Sequence, residues 1–188
     1  MHFLIINNGT SYIDQIKLLL GDNTFETFYF NDNSLGSDLS RFDAIVLSGG
    51  HVLTFGDHKI NFKKECDIVL NSNLPIFGIC FGMHLIATVY GATLKEMNNL
   101  EKGVLKITCD FKDPLFRNIT EFEVFENHRI VVTEVSGKLI PLACSKDGIE
   151  VVKQKEKIIY GVQFHPEMYV DKTCGDEIFR NFVKLIKK

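Results

Sequence analysis

The chain has 188 residues, of which 45% are hydrophobic and 24% are charged, a balance that is ordinary for a soluble globular protein. Its formal net charge is −3 and no basic stripe stands out, which argues against a nucleic-acid-binding protein. No apolar run approaches the roughly 20 residues that a membrane span requires, and the start of the chain is typical of a strand rather than a signal peptide.

The first half of the chain alternates between strand and helix patterns. Tyr12–Leu20 carries apolar residues at helical spacing, and Phe62–Leu70 does so with Cys66, Val69 and Leu70 predicted to face inward. Apolar strand patterns occupy Phe3–Asn7, Phe25–Phe30, Ala44–Leu47 and Pro75–Ile79. Strands that are apolar throughout and alternate with helices predict an α/β fold, with a mostly parallel open sheet covered by helices on both faces.

The second half, from Thr93 onward, is a succession of short strand-like runs, which predicts a mixed or antiparallel extension of the same sheet. These runs are Leu105–Cys109, Phe122–Phe125, Ile130–Thr133, Leu139–Ala143, Ile149–Val152 and Ile158–Val162. The sequence contains no repeat, linker or low-complexity stretch, so we expect one domain over residues 1–188.

Five cysteines are scattered along the chain without a CxxC pair. An odd number in this arrangement favours reduced thiols in the cytoplasm over a disulfide framework or a zinc site. We therefore expect a cytoplasmic protein with no metal site and no cofactor of its own.

One cysteine has a distinctive setting. The predicted strand that ends at Ile79 leads directly into Gly78-Ile79-Cys80-Phe81-Gly82 and then into a helix pattern. This is the pattern of a nucleophile elbow, a strained strand-to-helix turn that lifts one side chain out of the sheet, with cysteine as the nucleophile. A helix N-terminus behind Cys80 would favour its thiolate. The alternative is a buried structural cysteine on a glycine-rich turn.

A second motif supplies partners for such a nucleophile. Tyr160–Glu167 runs from a strand pattern into a loop and places His165 and Glu167 two positions apart, so both project to one side of an extended backbone. A cysteine nucleophile needs a base, and the base needs a group that orients it. Cys80, His165 and Glu167 could fill these three roles, whereas His165 alone would read as a surface histidine before a proline.

These motifs resemble the class I, triad-type glutamine amidotransferases, and the resemblance covers nearly the whole chain. The matching segments are Phe3–Gly9, Ile45–Gly50, Gly78–Met83, Gly161–Glu167 and the closing helix around Ile178–Phe182. The resemblance implies hydrolysis of L-glutamine to glutamate and ammonia through a thioester on Cys80. It also implies an oxyanion hole from the backbone amides of Gly50 and Phe81, with Gly49 close to the substrate.

Two positions depart from the family pattern. Most members carry glutamine where this chain has His84, and that side chain helps to hold the substrate. Imidazole can still form hydrogen bonds there, although it is shorter and titrates near neutrality. Most members also carry proline where this chain has His51, so the loop after Ser48 would be less rigid. His84 is therefore either an altered substrate contact or a sign of lost activity.

Within the family, weaker features resemble the glutaminase subunits of two-subunit GMP synthetases. Glu101-x-Gly103 lies before a strand pattern, and Glu126-Asn127-His128 is expected in a surface loop that faces a partner. The resemblance implies that a separate ATP-pyrophosphatase chain binds ATP, Mg²⁺ and XMP and receives the ammonia. Ser48–Leu53 lacks the acidic residue and second serine of a pyrophosphatase loop, and no Walker-type phosphate loop is present.

Other readings remain open at this point. The ammonia acceptor could belong to anthranilate or aminodeoxychorismate synthase, or the chain could act alone as a γ-glutamyl hydrolase. It could also be a catalytically silent homologue that binds a partner. The residues of the motif pair do not distinguish among these alternatives.

Overall fold

A computed structural model describes residues 1–50, 62–109 and 112–187 of the chain. Over these ranges the elements in chain order are β1 (His2–Asn7), α1 (Ile13–Leu19), β2 (Thr24–Tyr29), β3 (Ala44–Leu47), α2 (Lys63–Asn71), β4 (Ile76–Ile79), α3 (Phe81–Val89), β5 (Thr93–Lys106), β6 (Thr108–Cys109), a 3₁₀ turn (Pro114–Phe116), β7 (Glu123–Glu134), β8 (Leu139–Cys144), β9 (Ile149–Gln154), β10 (Ile159–Val162) and α4 (Gly175–Ile186). No helix within these ranges is long and apolar enough to cross a membrane.

The strands form one mixed sheet. Its main path runs β2-β1-β3-β4-β10-β9-β7-β5, while β8 pairs with β9 and with β6. The five strands from β2 to β10 are mutually parallel, and β10 pairs antiparallel with β9. The predicted α/β class, with a parallel sheet and an antiparallel extension, is confirmed.

Helices cover both faces of the parallel part, as the apolar strands predicted. Side chains of β1, β3 and β4 alternate between two buried clusters, so that Ile5 packs in one and Ile6 in the other. The first cluster includes residues of α1 and α4, and the second includes residues of α2 and α3. The parallel strands are therefore buried on both sides, and polar groups can reach solvent mainly at their ends.

One inward face was predicted wrongly. On α2 the buried side chains are Glu65, Ile68 and Val69, while Leu70 is 45% exposed and Cys66 is half-buried. Apolar character alone suggested Leu70 for the core, but its position on the helix turns it away from the sheet. A carboxyl group, Glu65, takes a buried place instead.

The segment Glu126-Asn127-His128 was also placed wrongly, because it does not lie in a surface loop. It lies within the continuous strand β7, which pairs with β5 through Glu101↔His128, Lys102↔Asn127 and Gly103↔Glu126. Glu126 and His128 are buried, with 0% and 4% exposure. The charged residues suggested a loop, but pairing with the long antiparallel strand β5 holds this segment in an extended conformation.

The elbow depends on close contact between α3 and the neighbouring strands. A Cβ atom added to Gly82 would lie 2.4 Å from the carbonyl oxygen of Leu47 on β3, and one added to Gly78 would lie 2.7 Å from the backbone of Gly82. Neither partner is a flexible side chain that could move aside. Only glycine therefore allows the start of α3 to sit this close to β3 and β4.

We expect Gly82→Ala to lower the free energy of unfolding by about 1 to 3 kcal/mol or more, because the new methyl group must displace backbone. Gly137→Ala is the matched control, since a Cβ there meets nothing within 4 Å. Urea unfolding of both variants checks this expectation. Equal stability of Gly82→Ala and Gly137→Ala would show that α3 can retreat from β3 without cost.

Candidate active site

Cys80 lies at the junction of β4 and α3, as the elbow pattern predicted. Its backbone has φ +48° and ψ −102°, a conformation that costs a residue with a side chain about 1 to 3 kcal/mol. The surroundings hold it there: its amide donates to the carbonyl of Val162 at 2.7 Å, and its carbonyl accepts from the amide of His84 at 3.0 Å. The Cys80 side chain thus projects from the carboxyl end of β4.

His165 and Glu167 reach the same place from β10. This strand pairs with β4 in parallel, with Val162 beside Ile79, so the residues that follow the two strands emerge together. Nδ1 of His165 lies 2.8 Å from Oε1 of Glu167, and both side chains are buried. Cys80 and His165 border one cavity. The structure therefore brings together the three residues that the sequence singled out.

The electrostatics of His165 favour its charged form. Burial acts to lower its pKa, but hydrogen bonds with Cys80 and Glu167, together with the charges of those two groups, outweigh burial and raise the pKa well above the usual value. A protonated His165 beside Cys80 is the arrangement that supports a thiolate. Tyr12 packs edge-on against the imidazole at 5.3 Å between ring centroids and fixes its plane.

Gln163 is a member of this site that sequence reasoning missed. Its amide nitrogen donates to Sγ of Cys80 at 3.7 Å, and its amide oxygen lies 2.8 Å from Nε2 of His84. The alternation of Gln163 with His165 and Glu167 in the sequence was a local hint, but the segment bends and turns after Val162, so the alternation does not by itself place Gln163 in the site.

His84 borders the cavity, as expected of a substrate contact, but its side chain is buried and tied to Gln163. The contact requires the ring to donate from Nε2, since the amide oxygen can only accept. Burial lowers the pKa of His84 to about 4, and the hydrogen bond with Gln163 only partly opposes this. His84 is therefore a neutral imidazole at physiological pH.

The Ser48–Gly50 segment lines the other side of Cys80. A Cβ added to Gly49 would lie 3.1 Å from Cε1 of His165, and one added to Gly50 would lie 2.6 Å from the carbonyl oxygen of Asn8. Gly50 and Phe81, the two predicted oxyanion-hole residues, both border the cavity. His51, the second departure noted in the sequence, lies outside the described residues.

The cavity has a volume of about 400 Å³, within the range of pockets for small molecules. Besides the residues above, its wall includes the exposed residue Arg129 and also Asn127, whose side-chain amide donates to the hydroxyl of Tyr12 at 3.1 Å. The full lining is Thr10, Tyr12, Gly50, Cys80, Phe81, His84, Leu100, Asn127, His128, Arg129, Ile130 and His165. A larger cavity of about 540 Å³ contains none of the three motif residues and shares only Leu100 with the first.

Behind the cavity wall lies a buried group of ionisable residues on β7 and β9. Burial raises the pKa of Glu126 to about 7, and burial together with the charge of Glu126 raises the pKa of Glu150 to about 8. Burial lowers the pKa of His128. These side chains have no part in the contacts of Cys80, His165 and Glu167 described above.

Comparison with known proteins agrees with this geometry. The family model "Glutamine amidotransferase class-I" matches residues 4–185. The chain belongs to the class-I glutamine amidotransferase family. The resemblance that the sequence motifs suggested is therefore confirmed over nearly the whole length of the chain.

Among curated relatives, the glutamine-hydrolyzing GMP synthase subunit of Methanococcus vannielii is 34% identical, and the match covers 97% of this chain and 95% of that protein. The glutamine-hydrolyzing GMP synthase of Petrotoga mobilis is 32% identical over 96% of this chain but only 35% of its own length. A crystal structure from Thermoplasma acidophilum, described as that of a candidate GMP synthase subunit, has a TM-score of 0.86 at 26% identity, covering 99% of this chain and 94% of that one.

The burial of neutral His84 predicts an acid-sensitive fold. Its pKa is about 4 in the folded protein and near the ordinary 6.5 when unfolded, so the unfolded chain binds the extra proton first. Its contribution to stability is complete above about pH 6.5 and is lost as pH falls through 4, about 3 kcal/mol in all.

We therefore expect His84→Gln, which can still bond to Gln163, to lose about 2 to 3 kcal/mol less stability than the parent chain between about pH 7.5 and about pH 4.5. Urea unfolding at the two pH values measures the difference. Parallel losses in both proteins would mean that His84 titrates normally in the folded state.

Proposed function

We propose that this chain hydrolyses L-glutamine to glutamate and ammonia through Cys80, His165 and Glu167, and that it does so as the amidotransferase subunit of a GMP synthase. The observation that carries the proposal is the placement of His165 between Cys80 and Glu167 at the border of a cavity sized for a small molecule. Family membership supports the reaction, and the names of the relatives support the acceptor.

The first half of the reaction forms a thioester. Sγ of Cys80, as the thiolate, attacks the carbon of the glutamine side-chain amide, and the carbonyl oxygen becomes an oxyanion. Glu167 holds Nδ1 of His165, which leaves Nε2 to protonate the departing nitrogen. The carbon–nitrogen bond then breaks, ammonia leaves, and the acyl group stays on Cys80.

The second half hydrolyses the thioester. His165, now neutral, takes a proton from water, and the resulting hydroxide attacks the acyl carbon. Collapse of the second tetrahedral intermediate releases glutamate and returns the thiolate beside a protonated His165. The amide of Gln163 donates to Sγ at 3.7 Å and would stabilise the thiolate at both ends of the cycle.

Both intermediates carry an oxyanion that requires aligned N–H donors, each worth about 3 kcal/mol. Phe81 follows the nucleophile at the first turn of α3, where backbone N–H groups point out of the helix end. Gly50, which also borders the cavity, is our second donor. Gly50 packs so closely against Asn8 that a side chain at this position would collide with the Asn8 carbonyl oxygen.

The cavity wall offers contacts for the rest of the substrate. Glutamine carries an α-carboxylate, and Arg129 supplies a positive charge in the wall. Asn127, which the sequence placed on a partner-facing loop, instead turns toward Tyr12 inside the cavity. In this proposal the residues of β7 recognise glutamine rather than the partner.

The partner would be a separate ATP-pyrophosphatase chain that binds ATP, Mg²⁺ and XMP. The long relative from Petrotoga mobilis, of which this chain matches 35%, supports a second catalytic unit beyond the amidotransferase part. Exposed apolar side chains near the site suit a contact face: Leu100 borders the cavity and is 50% exposed, and Tyr169, packed on Phe125, is 47% exposed.

A glutamine-like diazoketone should alkylate Cys80 and spare the other four cysteines, because Cys80 borders the cavity and its thiol lies beside His165. Cys174 is the most informative comparison, since burial raises its pKa to about 12 and keeps it a thiol. Mass spectrometry of tryptic peptides measures the labelling. Modification at Cys109 or Cys174, or equal labelling of Cys80→Ala, would contradict the assignment of the nucleophile.

His165→Ala should lower kcat for glutamine hydrolysis nearly as far as Cys80→Ala does, by about 1,000-fold or more, since triad members act as a unit. Glu167→Gln should cost less, because the amide can still orient the ring. Glu121→Gln, at an exposed position, controls for loss of a carboxylate. Glutamate release with and without the partner is the assay, and an active His165→Ala would remove the triad.

Mixing the chain with the ATP-pyrophosphatase subunit of the same organism, XMP and Mg-ATP should give GMP from glutamine. Ammonium chloride serves as a second nitrogen source that bypasses this chain. Cys80→Ala should abolish GMP formation from glutamine and leave formation from ammonium intact. Glutamate release without glutamine-dependent GMP would leave the amidotransferase in place and reject XMP as the acceptor's substrate.

A further inference from the structure

A buried group of ionisable side chains lies between β7 and β9. The two strands pair only at Val132 and Ile149, and the chain that follows β10 then separates them. In this region Gln163 donates its backbone amide to Glu150 of β9, and His165 donates its amide to Phe125 of β7. Glu126 and His128 from β7 meet Glu150 from β9, with one ligand atom from each residue within 4.8 Å of the others.

The three side chains are buried and face one another. Glu126 is 0% exposed, Glu150 is 1% exposed and His128 is 4% exposed. Within the described part of the chain, the four carboxylate oxygens and the two ring nitrogens of His128 find no donor or acceptor at full hydrogen-bonding geometry, although Glu126 and Glu150 lie close enough to share a proton between them. Ser145 lies close enough to Glu150 to act to lower its pKa, but burial and the charge of Glu126 outweigh this effect. Burying such groups lowers the stability of the fold unless a bound ion or a proton compensates for the lost contacts with water.

The imidazole is the decisive member of this group. Two buried carboxyl groups alone could share a proton, but His128 adds a nitrogen ligand that faces them, with Nε2 3.3 Å from Oε2 of Glu126. Two ligands bound about 2.0 to 2.2 Å from a tetrahedral ion are about 3.4 Å apart, so this contact already has the spacing of ligands that share one ion.

We propose that Glu126, His128 and Glu150 bind one divalent transition-metal ion, for which Zn²⁺ is the best match. Imidazole with two carboxylates is a donor set suited to zinc, whereas magnesium and calcium prefer oxygen ligands alone. His128 also borders the cavity beside Cys80, which leaves room for a water ligand in a fourth position. The expectation that this chain has no metal site rested on the spacing of its cysteines, none of which belongs to this group.

Neighbouring charge supports a cation at this position. Glu101 pairs with His128 across β5 and β7, its side chain is 12% exposed, and its Oε2 has no hydrogen-bond partner within the described residues. Three carboxyl groups thus surround one imidazole. The positive charges near them are His165, which acts to lower the pKa of both Glu126 and His128, and the largely exposed ammonium group of Lys146, 3.8 Å from the other oxygen of Glu101. A bound divalent ion would balance this excess of acid.

Zinc titration of the full chain, stripped with a chelator, tests the site by calorimetry. The titration is run in a Cys80→Ala background so that the thiol beside His165 cannot bind the metal. We expect one equivalent of Zn²⁺, and an affinity at least about 100-fold lower in Glu126→Gln/Glu150→Gln. Glu65→Gln is the matched control, because Glu65 is also a buried carboxyl whose pKa is raised by burial, but it lies on α2, away from His128.

Two further measurements distinguish binding at these three residues from binding elsewhere in the chain. Zn²⁺ should raise Tm in the Cys80→Ala chain and in its Glu65→Gln form, but not in the double variant. Co²⁺ bound in the same site should give weak absorption bands in the visible spectrum. It should give no thiolate-to-metal charge-transfer band, since no cysteine sulfur binds it. If the double variant fails to fold, Glu150→Gln alone replaces it.

Failure to bind one equivalent, or binding that survives the loss of Glu126 and Glu150, would overturn the proposal. The first result would mean that the cluster holds protons instead of a metal. The second would place the ion elsewhere in the chain. Neither result depends on glutamine hydrolysis, so the metal site and the proposed reaction are tested independently.

Discussion

The approach of α3 to β3 is the constraint on which the site depends. Gly82 brings the first turn of this helix so close to the carbonyl oxygen of Leu47 that no side chain fits between them. Because the helix starts there, Cys80 must turn at φ +48° to connect β4 to it. The same contact brings the end of β3, and with it Gly49 and Gly50, beside the sulfur. Cys80 and the glycine loop are thus positioned by one packing contact.

The second requirement is the double pairing of β10. On one edge it runs parallel to β4, and on the other it pairs antiparallel with β9. The parallel edge aligns the residue after Ile79 with the segment after Val162, which is why Gln163 and His165 both reach Cys80. The antiparallel edge begins the part of the sheet that supplies the far wall of the cavity. The boundary between the two halves of the sheet is therefore also the place where the site forms.

Local patterns predicted the parallel half of the fold and the three motif residues, because fully apolar strands and a glycine elbow are short-range signals. The antiparallel half was less predictable. The first part of β5 is polar because it is an edge strand, and Glu126 and His128 look like loop residues because charged side chains seldom enter a core. Gln163 was missed for a related reason, since its partner His84 is 79 residues away in sequence. Contacts of this length leave no trace in local periodicity.

The late position of β10 in the chain has a consequence for synthesis. Gln163 and Cys80 are 83 residues apart, and non-local parallel pairing is among the slower steps in folding because a long loop must close first. A ribosome-bound chain that has completed β4 and α3 already carries Cys80, but it still lacks Gln163 and His165. The contacts of these two residues with the sulfur therefore form only after most of the polypeptide has emerged from the ribosome.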